Sequence, residues 1–363
     1  MSVAAGARRI LFTGGGTAGH VTPNLALMAR LAEAGWEIHY AGSRHGIERE
    51  LAERAGATYH ALPTGKLRRY LSLENLADLF RVVAGIFAGW RLCRRLRPAI
   101  VFSKGGFVSV PVVLGARLAG IPALAHESDL TPGLATRLVA SSVRVVCTNF
   151  PETRVPRARE VRFTGTPIRA GLFAGDRRRG LDFAGLGGAR PLLLVVGGSL
   201  GSQFLNRLVR AALPELLQRF EVVHLCGRGN LDAALAAEGP AAYVQFEFVA
   251  EPYADLLAAA DLVVSRAGAN ALLELIGVRK AALLVPLSTA ASRGDQIENA
   301  RWAESHGLAH RIDEAELTAA SLLAALTALD DDRPALAAAL AAFELPDAEG
   351  ELLTLIEAHA TAA

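Results

Sequence analysis

The chain alternates short apolar runs with longer helical stretches, and this alternation starts twice. The first series of runs comprises Ile10–Phe12, Ile38–Ala41, Ile100–Phe102, Ala123–Ala125 and Val143–Val146. The second comprises Leu192–Val196, Val222–Leu225, Val244–Phe246, Leu262–Val264 and Leu283–Val285. Strands that alternate with helices form parallel sheets, because each crossover helix packs on a face of the sheet. The sequence therefore predicts an α/β fold with two Rossmann-like domains.

Each series opens with the same local pattern, a strand followed by a glycine-rich turn and a helix. The first turn is Gly14–Gly19 and the second is Gly197–Ser202. Between the two series, residues 151–190 are rich in Pro, Gly and Arg, which indicates a linker near Gly165–Pro167. A chain of 363 residues suits two cores better than one. We predict domains over residues 1–165 and 166–340, followed by a helix over 341–363 that packs back on the first domain.

Composition and charge limit the classes of function. The 38 basic and 36 acidic residues leave a net charge of +2, which gives no overall signal for a nucleic-acid partner. The cysteines, Cys93, Cys147 and Cys226, are too far apart for a zinc knuckle or a disulfide framework, and they fit a reducing cytoplasm. We see no signal peptide at the N-terminus, and no apolar run approaches the ~18 residues of a membrane span.

The first glycine turn has the GxGxxG spacing of dinucleotide-binding folds, at Gly14, Gly16 and Gly19. A nicotinamide site would also need an acidic residue after the second strand, and Ala41-Gly42-Ser43 stands there, so a dehydrogenase is disfavoured. His20 follows the turn directly. The positive end of a helix favours a neutral imidazole, which can act as a base, although the same histidine could simply cap the turn.

Further polar groups follow later strands, at the sheet edge where α/β folds bind ligands. Glu274 comes four residues after Asn270, so its carboxylate could bind ribose hydroxyls while the helix start faces a pyrophosphate. It could equally be an acid in the first turn of a helix. Asp295 and Gln296 could bind vicinal sugar hydroxyls or cap a helix. The other segments of this kind are Lys104–Phe107, His126–Gly133, Ser199 in its glycine turn, and Ser265–Asn270.

Metal-binding patterns are poor. Asp330-Asp331-Asp332 contains a DxD sequence, but it lies in an Ala-rich helical tail and not after a strand. We interpret it as a solvated helix end. The sequence therefore predicts an enzyme that needs neither a metal ion nor another cofactor.

An arginine-flanked apolar stripe stands out between Leu67 and Arg97. Its apolar members recur at helical spacing, at Leu76, Leu79, Phe80, Val83, Ile86, Phe87 and Trp90. Its flanking arginines are Arg68, Arg69, Arg81, Arg91, Arg94, Arg95 and Arg97. A helix of this kind can enter an anionic membrane surface, and the alternative is that the apolar face belongs to the core.

Taken together, these motifs resemble those of the MurG family, whose members transfer N-acetylglucosamine (GlcNAc) from UDP-GlcNAc to lipid I and so make lipid II of peptidoglycan. The matching segments occur in family order along the chain: Gly14–Val21, Gly105–Ser109, His126-Glu127 with Pro132-Gly133, Gly165–Arg169, Gly197–Ser199, Ser265–Ala269, and Asp295-Gln296 with Asn299-Ala300. Two sites depart from many members, Ser128-Asp129 and Leu200. Together with Ser103-Lys104 before the second glycine pair, they are similar to a branch found in some Gram-positive bacteria.

The resemblance implies a GT-B fold with the active site in the cleft between the domains. It implies donor-binding residues in the second domain, namely Arg169, Ser199, Val249, Ala250, Gly268, Ala269, Asn270, Glu274, Asp295 and Gln296. It implies contacts with a lipid-linked diphosphate acceptor in the first domain, through Thr17, Ala18, Gly19, Gly105, Gly106 and Asp129.

By the same resemblance, the reaction is one inverting displacement, in which the C4 hydroxyl of N-acetylmuramic acid (MurNAc) attacks the anomeric carbon of GlcNAc. His20 is the first choice of base, and His126 with Glu127 is the reserve. The resemblance also implies that the protein acts at the cytoplasmic face of the cell membrane, where it is bound peripherally to the anionic surface. The residues expected at that surface are Leu79, Phe80, Phe87, Trp90, Arg91, Arg94 and Arg95.

Two other functions on a related scaffold stay open. One is a natural-product glycosyltransferase with another lipid-phosphate acceptor. The other is a UDP-GlcNAc 2-epimerase, which would have no use for a lipid and therefore none for the arginine-flanked stripe.

Overall fold

The computed structural model describes residues 8–16, 18–64, 73–198, 200–289 and 292–361, without the side chains of residues 18 and 73–79. The chain packs as two compact units. Unit 1 comprises the residues up to Pro167 together with those from Pro346 onward, and unit 2 comprises Ile168–Leu345.

Unit 1 is built on a parallel sheet of seven strands within the described residues. In order across the sheet they run β3-β2-β1-β4-β5-β6-β7, so β1 pairs with β2 on one side and with β4 on the other. The strands are β1 (Arg9–Thr13), β2 (Glu37–Gly42), β3 (Thr58–Ala61), β4 (Ile100–Ser103), β5 (Ala123–Glu127), β6 (Val146–Thr148) and β7 (Val161–Phe163). The chain reverses its direction of travel across the sheet between β1 and β4, which is where such folds bind ligands.

Five helices of unit 1 connect these strands: α1 (Thr22–Glu33), α2 (Ile47–Arg54), α3 (Leu73–Leu96), α4 (Ser109–Leu118) and α5 (Leu134–Val139). Short 3-10 turns occur at Ala18–His20 and Ala140–Ser142. Helices α3 and α4 cross at glycines. A Cβ built on Gly115 would overlap the backbone of Gly89 and Trp90, so only small residues allow this close approach. Helix α3 is therefore packed through its glycine face. Among its described side chains, Leu92 and Cys93 are buried, whereas Phe80, Val83 and Phe87 are exposed.

Unit 2 repeats the arrangement with six parallel strands, in the order β10-β9-β8-β11-β12-β13, within the described residues. The strands are β8 (Leu192–Val196), β9 (Glu221–Leu225), β10 (Tyr243–Phe246), β11 (Leu262–Ser265), β12 (Ala282–Leu284) and β13 (His310–Arg311). The helices are α6 (Arg177–Ala184), α7 (Gln203–Ala211), α8 (Leu213–Arg219), α9 (Ala233–Glu238), α10 (Tyr253–Ala259), α11 (Ala269–Gly277), α12 (Asp295–Ser305), α13 (Ala319–Asp331) and α14 (Arg333–Ala342), with 3-10 turns at Ala170–Ala174 and Glu314–Glu316. In this sheet the chain reverses its direction of travel between β8 and β11.

The last helix, α15 (Ala348–His359), belongs to unit 1. Its buried residues Leu352, Leu355 and Ile356 lie in the same core cluster as residues of β1 and α1. Glu357 of this helix accepts a hydrogen bond from Trp36 at 3.0 Å. The helix thus completes the face of the unit 1 sheet that α1 begins.

The predicted fold class, two Rossmann-like parallel-sheet domains of the GT-B type, is confirmed. All of the apolar runs that were predicted to be strands form strands, with boundaries that differ by a few residues. Three strands were not predicted, and each lies at the edge of a sheet: β3, β7 and β13. An edge strand has one hydrogen-bonded neighbour and more solvent, so it lacks the continuous apolar run of a central strand. All three residues of β7 are exposed.

A buried histidine network stabilises unit 2. His224 on β9 is fully buried, with Nδ1 2.9 Å from the hydroxyl of Tyr243 and Nε2 3.0 Å from Oδ1 of Asn206. The amide nitrogen of Asn206 donates to the carbonyl of Cys226 at 2.9 Å, so its Oδ1 is the acceptor for the imidazole N–H. Burial, with the nearby charge of Arg210, lowers the pKa of His224 to about 3.

This network predicts acid sensitivity with a defined sign. In the unfolded chain the imidazole takes up a proton near pH 6.5, whereas in the folded chain it stays neutral down to about pH 3. The unfolded state therefore binds more protons in this range, and stability falls with decreasing pH by up to about 1.4 kcal/mol per pH unit. We expect His224→Gln, which cannot titrate, to be less stable at pH 7 and to depend less steeply on pH between 6 and 4. Calorimetric unfolding of both proteins measures this, and equal slopes would contradict it.

Candidate active site

Two glycine turns meet at the carboxyl ends of β1 and β4 in unit 1. Gly106 has φ +79°, and a Cβ built on it would overlap the carbonyl oxygen of Gly15. The hydroxyl of Tyr40 donates to the carbonyl of Gly14 at 2.8 Å and fixes the first turn from below. The turns therefore touch backbone to backbone, which only glycine permits.

His20 lies beside the second of these turns. It ends the 3-10 turn Ala18–His20, two residues before α1 begins, and it is half-buried. A Cβ built on Gly105 would lie 3.6 Å from Cδ2 of His20. The structure thus brings His20, Gly105 and Gly106 into one region of unit 1. Gly19 is exposed in the same turn, whereas Thr17 and the side chain of Ala18 lie outside the described residues.

His126, the reserve base, is held by hydrogen bonds at both ring nitrogens. Its Nε2 lies 2.8 Å from the carbonyl of Gly165, and its Nδ1 lies 2.7 Å from Nζ of Lys104. Because a carbonyl can only accept, Nε2 carries the proton and Nδ1 accepts from Lys104. Burial and the charge of Lys104 hold the pKa of His126 well below its ordinary value. A ring engaged in this way has no lone pair to offer a substrate proton.

Glu127 is not part of a pair with His126. The two residues are neighbours on β5, and successive residues of a strand point to opposite faces of the sheet. The Glu127 carboxylate accepts from the backbone N–H of Asp129 at 3.1 Å and of Gly133 at 2.9 Å. Glu127 therefore shapes the turn that carries Asp129, which is half-buried.

In unit 2 the starts of α11 and α12 converge. The amide of Asn299 on α12 donates to the carbonyl of Ala267, directly before α11, at 3.2 Å. Oε1 of Gln296 accepts from the N–H of Leu287 at 3.1 Å, and Asp295 lies 3.4 Å from Arg293. These contacts place Asp295 and Gln296 in one region with the start of α11, which comprises Gly268, Ala269 and Asn270. Ser199 lies outside the described residues.

Glu274 lies in the second turn of α11 and not in its first, so it is not a first-turn acid favoured by the helix dipole. Its Oε1 is 3.8 Å from Arg169, and burial raises the pKa of its carboxyl while Arg169 opposes that shift. Tyr253 connects Glu274 to the segment after β10. Its N–H donates to the carbonyl of Ala250 at 3.3 Å, and burial together with the Glu274 charge raises its pKa. Val249, in the same segment, is buried.

Two cations in segments that the sequence analysis singled out, Lys104 and Arg266, prove to be buried, which the sequence did not predict. Each is the first residue after a buried strand at the reversal point, β4 in unit 1 and β11 in unit 2. Arg266 donates to Ser202 Oγ at 2.6 Å and to Glu314 Oε1 at 2.9 Å, and it reaches the carbonyl of Val285 at 3.2 Å. It therefore ties the segments after β8, β11 and β12 together. The available signal was a charge directly after an apolar strand.

Among the described residues of the arginine-flanked stripe, the aromatic side chains point outward. Phe80 is 68% exposed and Phe87 is 61% exposed, and the Phe87 ring lies 5.3 Å from that of the half-buried Trp90. Arg91, Arg94 and Arg95 are exposed, and the side chain of Leu79 lies outside the described residues. The interpretation of this stripe as core is therefore wrong at Phe80 and Phe87. None of the helices in the described part of the chain is long and apolar enough to cross a membrane.

The acidic run at Asp330–Asp332 lies at the junction of α13 and α14. Asp330 pairs with Arg333 at 2.8 Å, and Asp332 lies 2.8 Å from His310. Within the described residues, no group of three or more histidine, cysteine or acidic side chains is arranged to hold a metal ion.

Residues 10–148 match the N-terminal domain of glycosyltransferase family 28, and residues 192–352 match its C-terminal domain. Two curated relatives bear the name UDP-N-acetylglucosamine–N-acetylmuramyl-(pentapeptide) pyrophosphoryl-undecaprenol N-acetylglucosamine transferase. The protein from Lachnoclostridium phytofermentans is 50% identical, over 96% of this chain and 98% of its own length. The protein from Geobacillus thermodenitrificans is 50% identical, over 90% of this chain and 92% of its own length.

Among solved structures, the chain is similar to MurG of Acinetobacter baumannii, with a TM-score of 0.77, 28% identity, and coverage of 97% of this chain and 99% of that one. A kitacinnamycin glycosyltransferase, at TM-score 0.73 and 21% identity over 98% of this chain and all of that one, shares the fold. Because both domains of the family are matched, and half of the residues are shared with relatives over nearly the whole length, this chain belongs to glycosyltransferase family 28.

Proposed function

We propose that this chain transfers GlcNAc from UDP-GlcNAc to MurNAc-(pentapeptide) pyrophosphoryl-undecaprenol, the step that converts lipid I to lipid II in peptidoglycan synthesis. The observation that carries the proposal is the near full-length identity to relatives named for this reaction. The natural-product glycosyltransferases and the UDP-GlcNAc 2-epimerase that share the fold are 13–21% identical, which supports the fold alone.

In this proposal unit 2 binds the donor. The Glu274 carboxylate takes the ribose hydroxyls, the segment at Val249-Ala250 takes the uracil, and Asp295 and Gln296 take the sugar hydroxyls. The pyrophosphate is held by Arg169, Ser199 and the α11 start at Gly268, Ala269 and Asn270. The contacts that support this assignment are the convergence of α11 with α12 and the proximity of Arg169 to Glu274.

Unit 1 binds the acceptor in the same proposal. The diphosphate lies against the Gly14–Gly19 and Gly105-Gly106 turns, and Asp129 contacts the acceptor from the turn that Glu127 shapes. The C4 hydroxyl of MurNAc attacks the anomeric carbon, the bond from that carbon to the β-phosphate oxygen breaks, and UDP leaves. The hydroxyl proton passes to the imidazole of His20. Positive helix starts and Arg169 stabilise the charge that develops on UDP, which is how an enzyme can do without a metal ion.

The direct test is incubation with UDP-[¹⁴C]GlcNAc and lipid I, with the label followed into the lipid fraction. We expect labelled lipid II and one UDP released per GlcNAc transferred, and we expect the rate to persist in excess EDTA. Label that stays out of the lipid would contradict the proposed function. Activity that disappears in EDTA and returns with Mg²⁺ would contradict only its metal-independent form.

His20→Gln should lower kcat steeply and leave the donor affinity nearly unchanged, because a positioned base contributes about 10²- to 10⁴-fold. It should also remove the acidic limb of the pH profile. The matched variant is His126→Gln, which replaces the buried histidine whose nitrogens are already engaged. The pH profile of kcat for His126→Gln should keep its acidic limb. Steady-state kinetics across pH measures both, and a His20→Gln enzyme with near-normal kcat would take the base role away from His20.

We also propose that α3 brings unit 1 to the cytoplasmic leaflet, with Phe80 and Phe87 entering the interface and Arg91, Arg94 and Arg95 facing anionic lipid. The exposure of these side chains supports the proposal. The glycine-mediated packing of α3 on α4 gives a physical reason for that exposure.

The test is cosedimentation with phosphatidylglycerol vesicles. Each arginine near an anionic surface contributes about 1 kcal/mol, so replacing Arg91, Arg94 and Arg95 by Glu should weaken binding roughly 100-fold. Phe80→Ser with Phe87→Ser should also weaken it, while donor binding stays intact. Ile47→Ser removes a similarly exposed apolar side chain from α2 and serves as the control. Unchanged sedimentation of both altered proteins would contradict membrane docking through α3.

A further inference from the structure

Lysine is rare in this chain, and one of the lysines, Lys104, is buried. Of the 38 basic residues, three are lysines, at 66, 104 and 280. Lys104 is 1% exposed. A compact ammonium fits a confined site that a planar guanidinium does not, so the side chain at this position is set by its surroundings and not by the general preference of the chain for arginine.

The partners of the Lys104 ammonium are neutral. Its Nζ lies 2.7 Å from Nδ1 of His126 and 2.6 Å from Oγ of Ser128. Within the described residues, no carboxylate lies at ion-pair distance from Nζ, although the charges of Glu127 and Asp129 act on it from farther away. A buried charge without a paired counter-ion is costly to maintain, so this site favours an anion close by.

Arg266 provides an internal comparison, because it occupies the equivalent position in unit 2, directly after the strand at the reversal point. Its guanidinium pairs with the Glu314 carboxylate at 2.9 Å, so its charge is balanced within the protein. In the part of the chain that the structure describes, the charge of Lys104 has no such partner. The two cations therefore differ in whether their positive charge remains available to an anionic ligand.

Lys104 also lies directly beneath the two glycine turns of unit 1. Its backbone N–H donates to the carbonyl of Thr13 at 2.9 Å, and its Cβ lies 3.2 Å from a Cβ built on Gly14. The next two residues along the chain are Gly105 and Gly106. A positive charge at this depth acts on the space above the turns through protein of low dielectric constant, where its field is weakly screened.

We propose that Lys104 is a positioning residue for the acceptor: its buried ammonium draws the diphosphate onto the glycine turns and, through Ser128, holds the turn that carries Asp129. The inference rests on the proposed function for the identity of the acceptor. The ammonium acts through its field and through its two hydrogen bonds.

The inference has a consequence for pH. Burial lowers the pKa of Lys104 to about 7, and a bound diphosphate must raise it, because the anion favours the charged form. Acceptor binding should therefore be strongest below pH 7 and weaken as the pH rises above it. Among the described residues, the ionisable groups around Lys104 are His126 and Glu127 on β5, Asp129 after it, Cys147 on β6 and Tyr40 on β2. Burial keeps His126, Cys147 and Tyr40 neutral in this range.

The first test does not depend on transferase activity. The full chain is labelled with [¹³C,¹⁵N]lysine, so that few side-chain signals appear, and the Lys104 signal is assigned by its absence in Lys104→Met. The protein is saturated with UDP to occupy unit 2, and the pKa of Lys104 is measured with and without inorganic pyrophosphate. We expect pyrophosphate to raise that pKa by about one unit, which corresponds to roughly tenfold tighter binding to the protonated form. An unchanged pKa would overturn the inference even if lipid II is made.

The second test is kinetic. Lys104→Met should raise the acceptor KM about tenfold or more, leave the donor KM within about twofold, and abolish the alkaline fall in kcat/KM for the acceptor. Ser128→Ala keeps the cation and should keep the alkaline fall. Lys280→Met is the matched control, since Lys280 is half-buried in unit 2 and donates to the carbonyls of Ala258 and Ala260.

A purely structural role for Lys104 would give a different result. Lys104→Met would then lose stability but keep the wild-type pH profile, or it would change the donor and acceptor KM alike. Either outcome overturns the inference. If Lys104→Met does not fold, the pyrophosphate titration of the wild-type signal decides alone, with Lys104 assigned by elimination through Lys66→Arg and Lys280→Met. Failure of the wild-type enzyme to label lipid I, by contrast, would overturn the proposed function and leave the pyrophosphate result standing.

Discussion

The structure depends on the point in each sheet where the chain reverses its direction across the strands. At β1 and β4 in unit 1, and at β8 and β11 in unit 2, connections leave neighbouring strands toward opposite faces and open a crevice between them. Backbone must pass close to backbone there, as it does at Gly15 and Gly106. In unit 2, a comparable close approach joins the segments after β8 and β9, where a Cβ on Gly227 would overlap Gly201. The residues assigned to donor and acceptor are mainly those that these crevices make available.

The two crevices have different electrostatics. In unit 2, Arg266 is paired with Glu314 and bonded to the surrounding carbonyls, so the loops are held by an internally balanced charge. In unit 1, the ammonium of Lys104 is bonded to a neutral imidazole and a hydroxyl. The half assigned to the sugar nucleotide is thus organised before its ligand arrives. The half assigned to the lipid diphosphate keeps an unbalanced positive charge, which suits a ligand that carries its charge on the diphosphate.

Much of this arrangement could be predicted from the sequence, and the exceptions have physical causes. The central strands and the glycine turns follow from apolar runs and local spacing. The different surroundings of His126 and Glu127 could not be predicted, because neighbours on a strand face opposite ways and the hydrogen-bond partners of His126 come from distant parts of the chain. The position of Lys104 directly after a strand is evident from the sequence, but its burial is a tertiary property that the local sequence does not show. For α3, helical periodicity located the apolar residues, but glycines decide which face is packed.

Because of α15, the cores of the two units are completed at different times during synthesis. Unit 2 is one continuous segment, Ile168–Leu345, so all of its residues are synthesised before α15. The core of unit 1 includes Leu352, Leu355 and Ile356, which emerge after all of unit 2. Until then, the apolar surface that α15 covers beside β1 and α1 stays open to solvent. The unit whose strands are synthesised first is therefore the unit whose core is completed last.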